Sequence, residues 1–373
     1  MRVAMLMGDM PWVESWARAA ETQCDVIRIR FVARSAGGPW LTRTKSDPPE
    51  YAIRLPRRAG PYRVVGRLSD APLARRFARA IRQIEEEHGR VDVIHAHFYS
   101  NARWLPDFQR LVRRPYVVTE HSTGWSGENP DNQITARGFK VALRAYRHAA
   151  CVIPVSEDLR STLVSRGVTG RLVVIPNPVD TELFHPTDAP SGNHPPRVVS
   201  VSRLAQAKGY PVLVEAVRHL VESGVELELE IVGDGPMRDE LERLAGTLPP
   251  GVVSFLGSRN QLEVAEILRQ ADLFATATRV ENLPVAVIEA LATGLPVVGT
   301  DVNGMRELID SPRVGMLVPR DDASALAAAI AQMLIELPDF DTRSANASHA
   351  KTRFSFQAVG NRLSSVYDSV VTN

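Results

Sequence analysis

Short, nearly continuous apolar runs alternate along this chain with longer stretches whose apolar residues recur every three or four positions. The short runs have the length of buried strands, and the longer pattern is that of a helix with one face against a core. In the first half, residues 3–7, 25–31, 91–96, 116–119, 151–155 and 172–175 read as strands. Helical patterns near 13–21, 73–87, 101–112, 136–149 and 157–166 lie between them. Strands that are apolar on both faces, separated by helices, predict a parallel sheet covered on both sides.

The pattern breaks after Pro176-Asn177-Pro178, in a polar stretch dotted with Pro186, Pro190 and Pro195. Such a stretch reads as a linker. The alternation then restarts, with strands expected at 198–202, 227–232, 252–256, 273–276, 296–300 and 315–318. Helices are expected at 210–223, 237–245, 261–270, 284–293, 323–337 and 355–369. The reading is α/β: one domain over 1–176, a linker over 177–196, a second domain over 197–354, and a final helix within 355–373. Doubly wound sheets bind ligands at the carboxyl ends of their strands. The expected site is therefore a cleft between the two domains.

Composition narrows the class. The 373 residues are 44% hydrophobic, ordinary for a globular protein. Cys24 and Cys151 are the two cysteines, so a disulfide framework and a zinc ribbon both lack support and a reducing cytosol fits. The opening run is too short, and lacks the small-residue pattern, for a cleaved secretory signal. No apolar stretch reaches the roughly 18–20 residues that a spanning helix needs. The net charge of +1 hides an asymmetry, about +8 over residues 1–190 and −7 over the rest. Between Arg54 and Arg82 nine arginines face one acid, Asp70. That run is either a solvated helix face and loop or a patch that attracts an acidic acceptor, nucleic acid or anionic lipid headgroups on the inner face of the membrane, the lipid reading being the one weighed against the solvated face. No nucleic-acid partner is expected.

The chemistry concentrates at predicted strand ends. Residues 278–294 read T-R-V-E-N-L-P-V-A-V-I-E-A-L-A-T-G, setting Glu281 and Glu289 eight positions apart around the start of a helix. Asn282 is the expected N-cap, Pro284 suits the first turn and Gly294 the stop. The N–H groups of Leu283, Val285 and Ala286 would then offer a phosphate cradle. Arg203 and Lys208 follow the first strand of the second domain. They supply a planar fork and a point charge for a diphosphate, or are a loop charge and a routine helix residue. Gly233-Asp234-Gly235-Pro236 is a strand-to-helix turn that lacks the G-x-G-x-x-G spacing. His121 ends a strand in T-E-H-S-T-G, placed either to touch a sugar or to bond its own loop. His95 and His97 share one strand face, but no third metal ligand accompanies them. Walker, H-E-x-x-H and G-x-S-x-G motifs are absent.

Taken together, these segments resemble the retaining glycosyltransferases of family four, which have the GT-B fold. The resemblance rests on V-V-T-E-H-S-T-G at 117–124, V-I-P-V-S-E at 152–157, I-P-N-P-V-D-T-E-L-F at 175–184, S-R-L-A-Q-A-K-G at 202–209, V-G-D-G-P at 232–236 and E-N-L-P-V-A-V-I-E-A at 281–290. The last is the family's E-x7-E motif. The resemblance implies two Rossmann-like domains facing a central cleft, with the C-terminal helix crossing back to the first, acceptor-binding domain. It implies that Arg203 and Lys208 hold the donor diphosphate, Glu289 the ribose, and Glu281 with Asn282, Leu283, Pro284 and Val285 the sugar and β-phosphate. Gly233, Asp234, Leu256 and Gly257 would line the base and ribose pocket, and His121 would face the donor sugar. Gly8 stands where many relatives carry a paired-glycine loop.

What the resemblance implies is a cytoplasmic, metal-independent enzyme with no cofactor. Its donor is a UDP- or GDP-sugar, and its acceptor a saccharide, lipid-linked or small-molecule hydroxyl. Bacterial surface polysaccharide or glycolipid synthesis is the leading expectation. A natural-product glycosyltransferase and a non-catalytic sugar-nucleotide-binding protein are the alternatives.

Overall fold

The computed structural model describes residues 1–7, 11–33, 40–55, 71–187 and 194–372. Its elements begin with β1 (Arg2–Met7), α1 (Pro11–Glu21), β2 (Asp25–Ala33), β3 (Leu41–Ser46), β4 (Pro49–Leu55) and α2 (Ala71–His88). Next come β5 (Val93–His97), α3 (Phe98–Ala102), α4 (Leu105–Val112), β6 (Tyr116–Glu120), α5 (Ala136–His148), β7 (Cys151–Pro154) and α6 (Glu157–Ser165). The second half holds β8 (Arg197–Val201), α7 (Tyr210–Glu222), β9 (Glu228–Val232), α8 (Arg238–Ala245), β10 (Val253–Gly257), α9 (Gln261–Gln270) and β11 (Leu273–Ala275). It continues with α10 (Val285–Ala292), β12 (Val297–Thr300), α11 (Met305–Leu308), β13 (Gly315–Val318), α12 (Ala323–Ile335), α13 (Phe340–Phe354) and α14 (Phe356–Val371).

Two compact units result. The first comprises Met1–Trp125, Ile134–Pro178 and Phe356–Asn373; the second comprises Ser126–Gln133 and Val179–Ser355. The first unit's sheet runs β3-β4-β2-β1-β5-β6-β7 and the second's β10-β9-β8-β11-β12-β13. In each, the chain starts in the middle and winds outward in both directions. The order therefore reverses between β1 and β5, and again between β8 and β11. Those switch points open a crevice at the carboxyl ends of the strands.

The elements follow from burial. On α7 the buried residues Tyr210, Leu213, Val214, Val217 and Leu220 fall three or four apart, the helical spacing of one face. They join Val198, Leu229, Ile231, Leu273 and Ile330 in the second unit's core. Removing such side chains from water contributes about 1.5–3 kcal/mol each. On α14, Val359, Leu363, Val366, Tyr367 and Val370 make the same stripe within the first unit. There α14 lies on α1 so closely that a Cβ on Gly360 would stand 2.2 Å from the Ala19 carbonyl oxygen. The C-terminal helix thus returns to the first unit, as the family resemblance implied.

The structure corrects the sequence reading in several places. Residues 41–55 form a hairpin in which β3 pairs antiparallel with β4, so the first sheet is mixed. Residues 172–175 reduce to a single bridge from Leu172 to Val152. The helix expected over 101–112 is broken at Arg103–Trp104, giving α3 and α4. Helix α13 was not expected at all.

Candidate functional site

The second unit's switch point is built by close backbone packing. At the end of β9, Gly233 has φ +135°, and a Cβ there would lie 1.9 Å from the Ser202 carbonyl oxygen after β8. Its N–H donates to the Gly257 carbonyl at 2.9 Å, which sets Leu256 and Gly257 alongside. Asp234 is exposed, and its carboxylate accepts from the Gly235 N–H at 2.7 Å. Beyond Arg203 the chain makes a tight turn, Gln206–Lys208, closed by Gly209 at φ +64°. A Cβ on Gly209 would sit 2.0 Å from the Ala277 carbonyl oxygen, so this position takes glycine on both counts. The Ala207 carbonyl accepts from the Arg279 N–H at 2.8 Å and the Thr278 hydroxyl at 3.2 Å. The Thr300 hydroxyl donates in turn to the Thr278 carbonyl.

This bonding brings the Lys208 ammonium, 73 residues away in sequence, directly onto the Glu281 carboxylate. Burial pushes Lys208 down to about 8, while the negative charge of Asp131 pulls it up. Below that pH the ammonium is charged. The Arg203 guanidinium is exposed and enters no ion pair among the described residues. A fork-shaped cation at the rim and a half-enclosed ammonium behind it suit an anion that enters from solvent.

Helix α10 starts at Val285, with Pro284 as N-cap and no side chain capping its first turn. The expectation that Asn282 caps the helix is overturned: Asn282 is buried one turn earlier, 5% exposed. Pro284, Val285 and Ala286 are half-buried at the helix tip, while Leu283 is buried beneath it. The first turn of an α-helix has N–H groups without intrahelical partners, and this one lacks the usual side-chain acceptor. One turn on, Glu289 is 8% exposed, and burial alone lifts its carboxyl to about 8. At neutral pH in the free protein it is a hydrogen-bond donor as well as an acceptor.

The first unit carries a different cluster. His95 and His97 end β5 and His121 follows β6; their rings stack in series, with centroids 4.6 Å and 5.3 Å apart. Trp16 of α1 meets His97 and His121 edge-on at 5.6 Å and 5.5 Å. His95 is held between the hydroxyls of Tyr367 at 2.6 Å and Thr119 at 2.7 Å, and His97 Nδ1 faces His121 Nε2 at 3.1 Å. Burial lowers all three, His95 to about 3. The imidazoles are neutral. His121 therefore bonds another strand end rather than its own loop, and the pair His95 and His97 is aromatic packing. Glu120, buried and raised by that burial, accepts the N–H groups of His121 at 2.8 Å, Ser122 at 2.7 Å and Tyr99 at 3.3 Å, and the Tyr146 hydroxyl. Trp16 donates its indole N–H to Asn177 at 3.3 Å.

Arg203, Lys208, Gly233, Asp234, Leu256, Gly257, Glu281, Asn282, Leu283, Pro284, Val285 and Glu289 thus all lie on strand-end loops or helix starts of the second unit. His121 stands at the corresponding end of the first unit's sheet. Gly8 lies outside the described residues, as do residues 56–70 of the basic run. Trp16 and Tyr367 were missed, and nothing in their local sequence marks them; Glu120 lies inside V-V-T-E-H-S-T-G but was given no role. A groove of about 540 Å³ along β13 and α12, lined by Met316, Gln332, Met333 and Glu336, holds none of these site residues.

Comparison with known proteins gives a consistent picture. Residues 20–183 match the Glycosyltransferase Family 4 domain and residues 195–336 the Glycosyl transferases group 1 domain. The phosphatidyl-myo-inositol mannosyltransferase of Mycolicibacterium smegmatis is 30% identical over 364 residues, covering 93% of this chain and 90% of that protein. A colanic acid biosynthesis relative, WcaL of Salmonella typhimurium, is 31% identical over 237 residues. That match covers 60% of this chain but only 58% of the relative, so the chain spans less than two thirds of it. Among solved structures, Anabaena HepE in complex with UDP superposes with a TM-score of 0.78 at 20% identity, covering 99% of this chain and 100% of HepE.

Proposed function

Because the chain belongs to the family-four, group 1 glycosyltransferases, we propose that it transfers a sugar from a nucleotide-diphosphate donor to a hydroxyl acceptor with retention of anomeric configuration. The observation that carries this reading is the Lys208–Glu281 pair, set at the β8/β11 switch point with α10. The loop after β8 supplies cations, and the start of α10 supplies N–H groups, for a diphosphate. The adjoining carboxylate supplies an acceptor for sugar hydroxyls.

In the reaction, the bond from the sugar C1 to the β-phosphate oxygen breaks as charge grows on that oxygen. Arg203, Lys208 and the N–H groups at the start of α10 meet the growing charge. The acceptor oxygen attacks C1 on the same face, and its proton passes to the departing phosphate oxygen. Preorganised donors at such a position are worth about 10²–10³ in turnover each. Glu281 orients the sugar, and Glu289 bonds the ribose. For His121, neutral and set at the first unit's strand ends, the proposed role is to meet a sugar hydroxyl.

UDP- and GDP-sugars are the donors this reading favours; HepE has been crystallised with UDP. The acceptor in this reading belongs to surface polysaccharide or glycolipid; the relatives are named for colanic acid biosynthesis and for mannosyl transfer to phosphatidyl-myo-inositol. No helix among the described residues is long and apolar enough to cross a membrane. On α2, Arg75, Arg79 and Arg82 are exposed on one face. This face is the proposed contact for an anionic bilayer surface.

A panel of UDP-, GDP- and ADP-sugars, scored by thermal shift and slow donor hydrolysis, tests the reading. One donor should raise the melting temperature and be hydrolysed slowly, and Glu289→Ala should abolish the shift. Stabilisation without any hydrolysis or transfer would instead make the chain a sugar-nucleotide-binding protein. No response to any donor would overturn the site.

A further inference from the structure

Between β6 and α5, both in the first unit, eight residues leave it: Ser126–Gln133 counts with the second unit. The segment is pinned there at two points. Near its start, the Glu128 carboxylate pairs with Arg320 at 2.9 Å, and Arg320 also reaches the Arg279 carbonyl at 3.4 Å. Near its end, the Asp131 Oδ2 accepts the Ala207 N–H at 2.9 Å. Asp131 is itself set by the buried Asn129, whose Oδ1 accepts the Asp131 N–H at 2.8 Å. Ala207 is the middle residue of the Gln206–Lys208 turn. Its carbonyl is already taken by Arg279 and Thr278, so Asp131 completes the bonding of the peptide that aims Lys208.

We propose that Asp131 is a positioning residue for the donor site: it fixes the turn that presents Lys208 and keeps that ammonium charged for the donor diphosphate. The proposal rests on the reading of Lys208 given above. It goes beyond the family's strand-end motifs, because Asp131 lies ten residues past His121 in the loop of a different sheet.

The electrostatics agree with the bonding. Lys208 is enclosed, and enclosure disfavours its charged form. Facing it, Glu281 comes from the loop before α10 and Asp131 from the 126–133 segment. The cations of the neighbouring loops are engaged elsewhere or face solvent: Arg279 pairs with Asp321 at 2.6 Å, and Arg203 is exposed. Glu281 is committed to the sugar once the donor arrives. Asp131 is the carboxylate left to hold the proton on Lys208 as the donor binds.

The test is the pH profile of donor kcat/KM, which reports groups of the free enzyme. Asp131→Asn keeps an oxygen for the Ala207 N–H and removes only the charge. Its alkaline limb should move to lower pH, so that the ratio of kcat/KM at pH 6.5 to that at pH 9 rises about three- to tenfold, up to one pKa unit. Asp131→Glu should restore the wild-type limb, and Asp131→Ala should add a loss at every pH because the turn loses its bond. An Asp131→Asn profile that superposes on wild type, or falls equally at every pH, overturns the proposal. Lys208→Ala separates the two levels of argument. An inactive Lys208→Ala beside an unshifted Asp131→Asn removes only the role of Asp131. An active Lys208→Ala removes the reading of Lys208 and the inference with it.

Discussion

The two sheets place opposite electrostatics at equivalent positions. At the first unit's strand ends, three neutral imidazoles stack on one another and meet Trp16 edge-on; His95 spends its ring nitrogens on two hydroxyls, and His97 Nδ1 faces His121 Nε2. At the second unit's, an exposed arginine, a lysine–glutamate pair and an uncapped helix start form an ionic surface. The same doubly wound scaffold serves both, because a switch point fixes only where loops gather. The side chains on those loops decide what is bound. Neutral aromatic and imidazole groups suit hydroxyl-bearing sugars, which bring no charge to be desolvated. Cations and free N–H groups suit a diphosphate, whose charge must be met as it leaves.

The comparison breaks most sharply at Lys208. Replacing it with Ala should lower turnover about 10²–10³-fold with the fold retained, because the lost group faces the developing charge. Arg203→Ala should lower it less, since its guanidinium is exposed and screened by solvent. His121→Ala should weaken sugar discrimination more than it weakens diphosphate binding. Steady-state kinetics, with product-nucleotide inhibition as the measure of diphosphate binding, check all three. Equal effects on nucleotide inhibition from Lys208→Ala and His121→Ala would erase the distinction between the two regions.

Much of the second unit was legible from sequence and less of the first, for physical reasons. Strands β8 to β13 are short, apolar and punctuated by turn residues, so periodicity finds them. Strand β3 is an edge strand whose sequence, L-T-R-T-K-S, is mostly exposed, so it carries no apolar signal. Helix α13 buries Arg343 and Asn346 beside Ala347, Ala350 and Phe354, a face that polarity hides. The Lys208 and Glu281 positions were readable because each follows a strand end. Their contact was not, because it depends on Gly209 seating one loop on the Ala277 carbonyl. Trp16 and Tyr367 reached the histidine cluster from other elements, and only tertiary packing joins them. Asn282 misled because its side chain has a good capping propensity that burial overrode.

The neutral cluster makes its own prediction about acid. Burial lowers His95 to about 3, and His97 and His121 well below 6.5. Above pH 6.5 the folded and unfolded forms are both uncharged at these positions, and the full stability is present. As pH falls from 6.5 toward 3, the unfolded chain takes up protons that the folded one refuses, and stability is lost. At pH 5 the loss from His95 is about 2 kcal/mol. Glu120 works in the opposite direction, since acidification protonates a carboxyl whose burial disfavours charge. Thermal unfolding at pH 7 and pH 5 measures the net effect. In His97→Phe the drop between the two should shrink, because one buried imidazole no longer titrates. An unchanged drop would mean that the cluster holds charge after all.

The ionic region predicts the reverse sign at one position. Burial raises Glu289 to about 8, so between pH 4.5 and pH 8 the unfolded carboxyl ionises while the folded one stays protonated. Stability is therefore present below 4.5 and is lost as pH rises through this window. Glu289→Gln keeps the shape and removes the titration. At pH 7 it should stabilise the free protein by about 1–2 kcal/mol, a gain that fades toward pH 5. The same variant should weaken donor binding, because an amide cannot become the carboxylate that a ribose hydroxyl pair recruits. Stability gained and affinity lost in one substitution would mark Glu289 as a group kept under strain for its ligand. A variant that is destabilised at pH 7 would instead place the carboxyl among partners that the free protein already supplies, and the contrast between the two strand-end regions would lose its buried half.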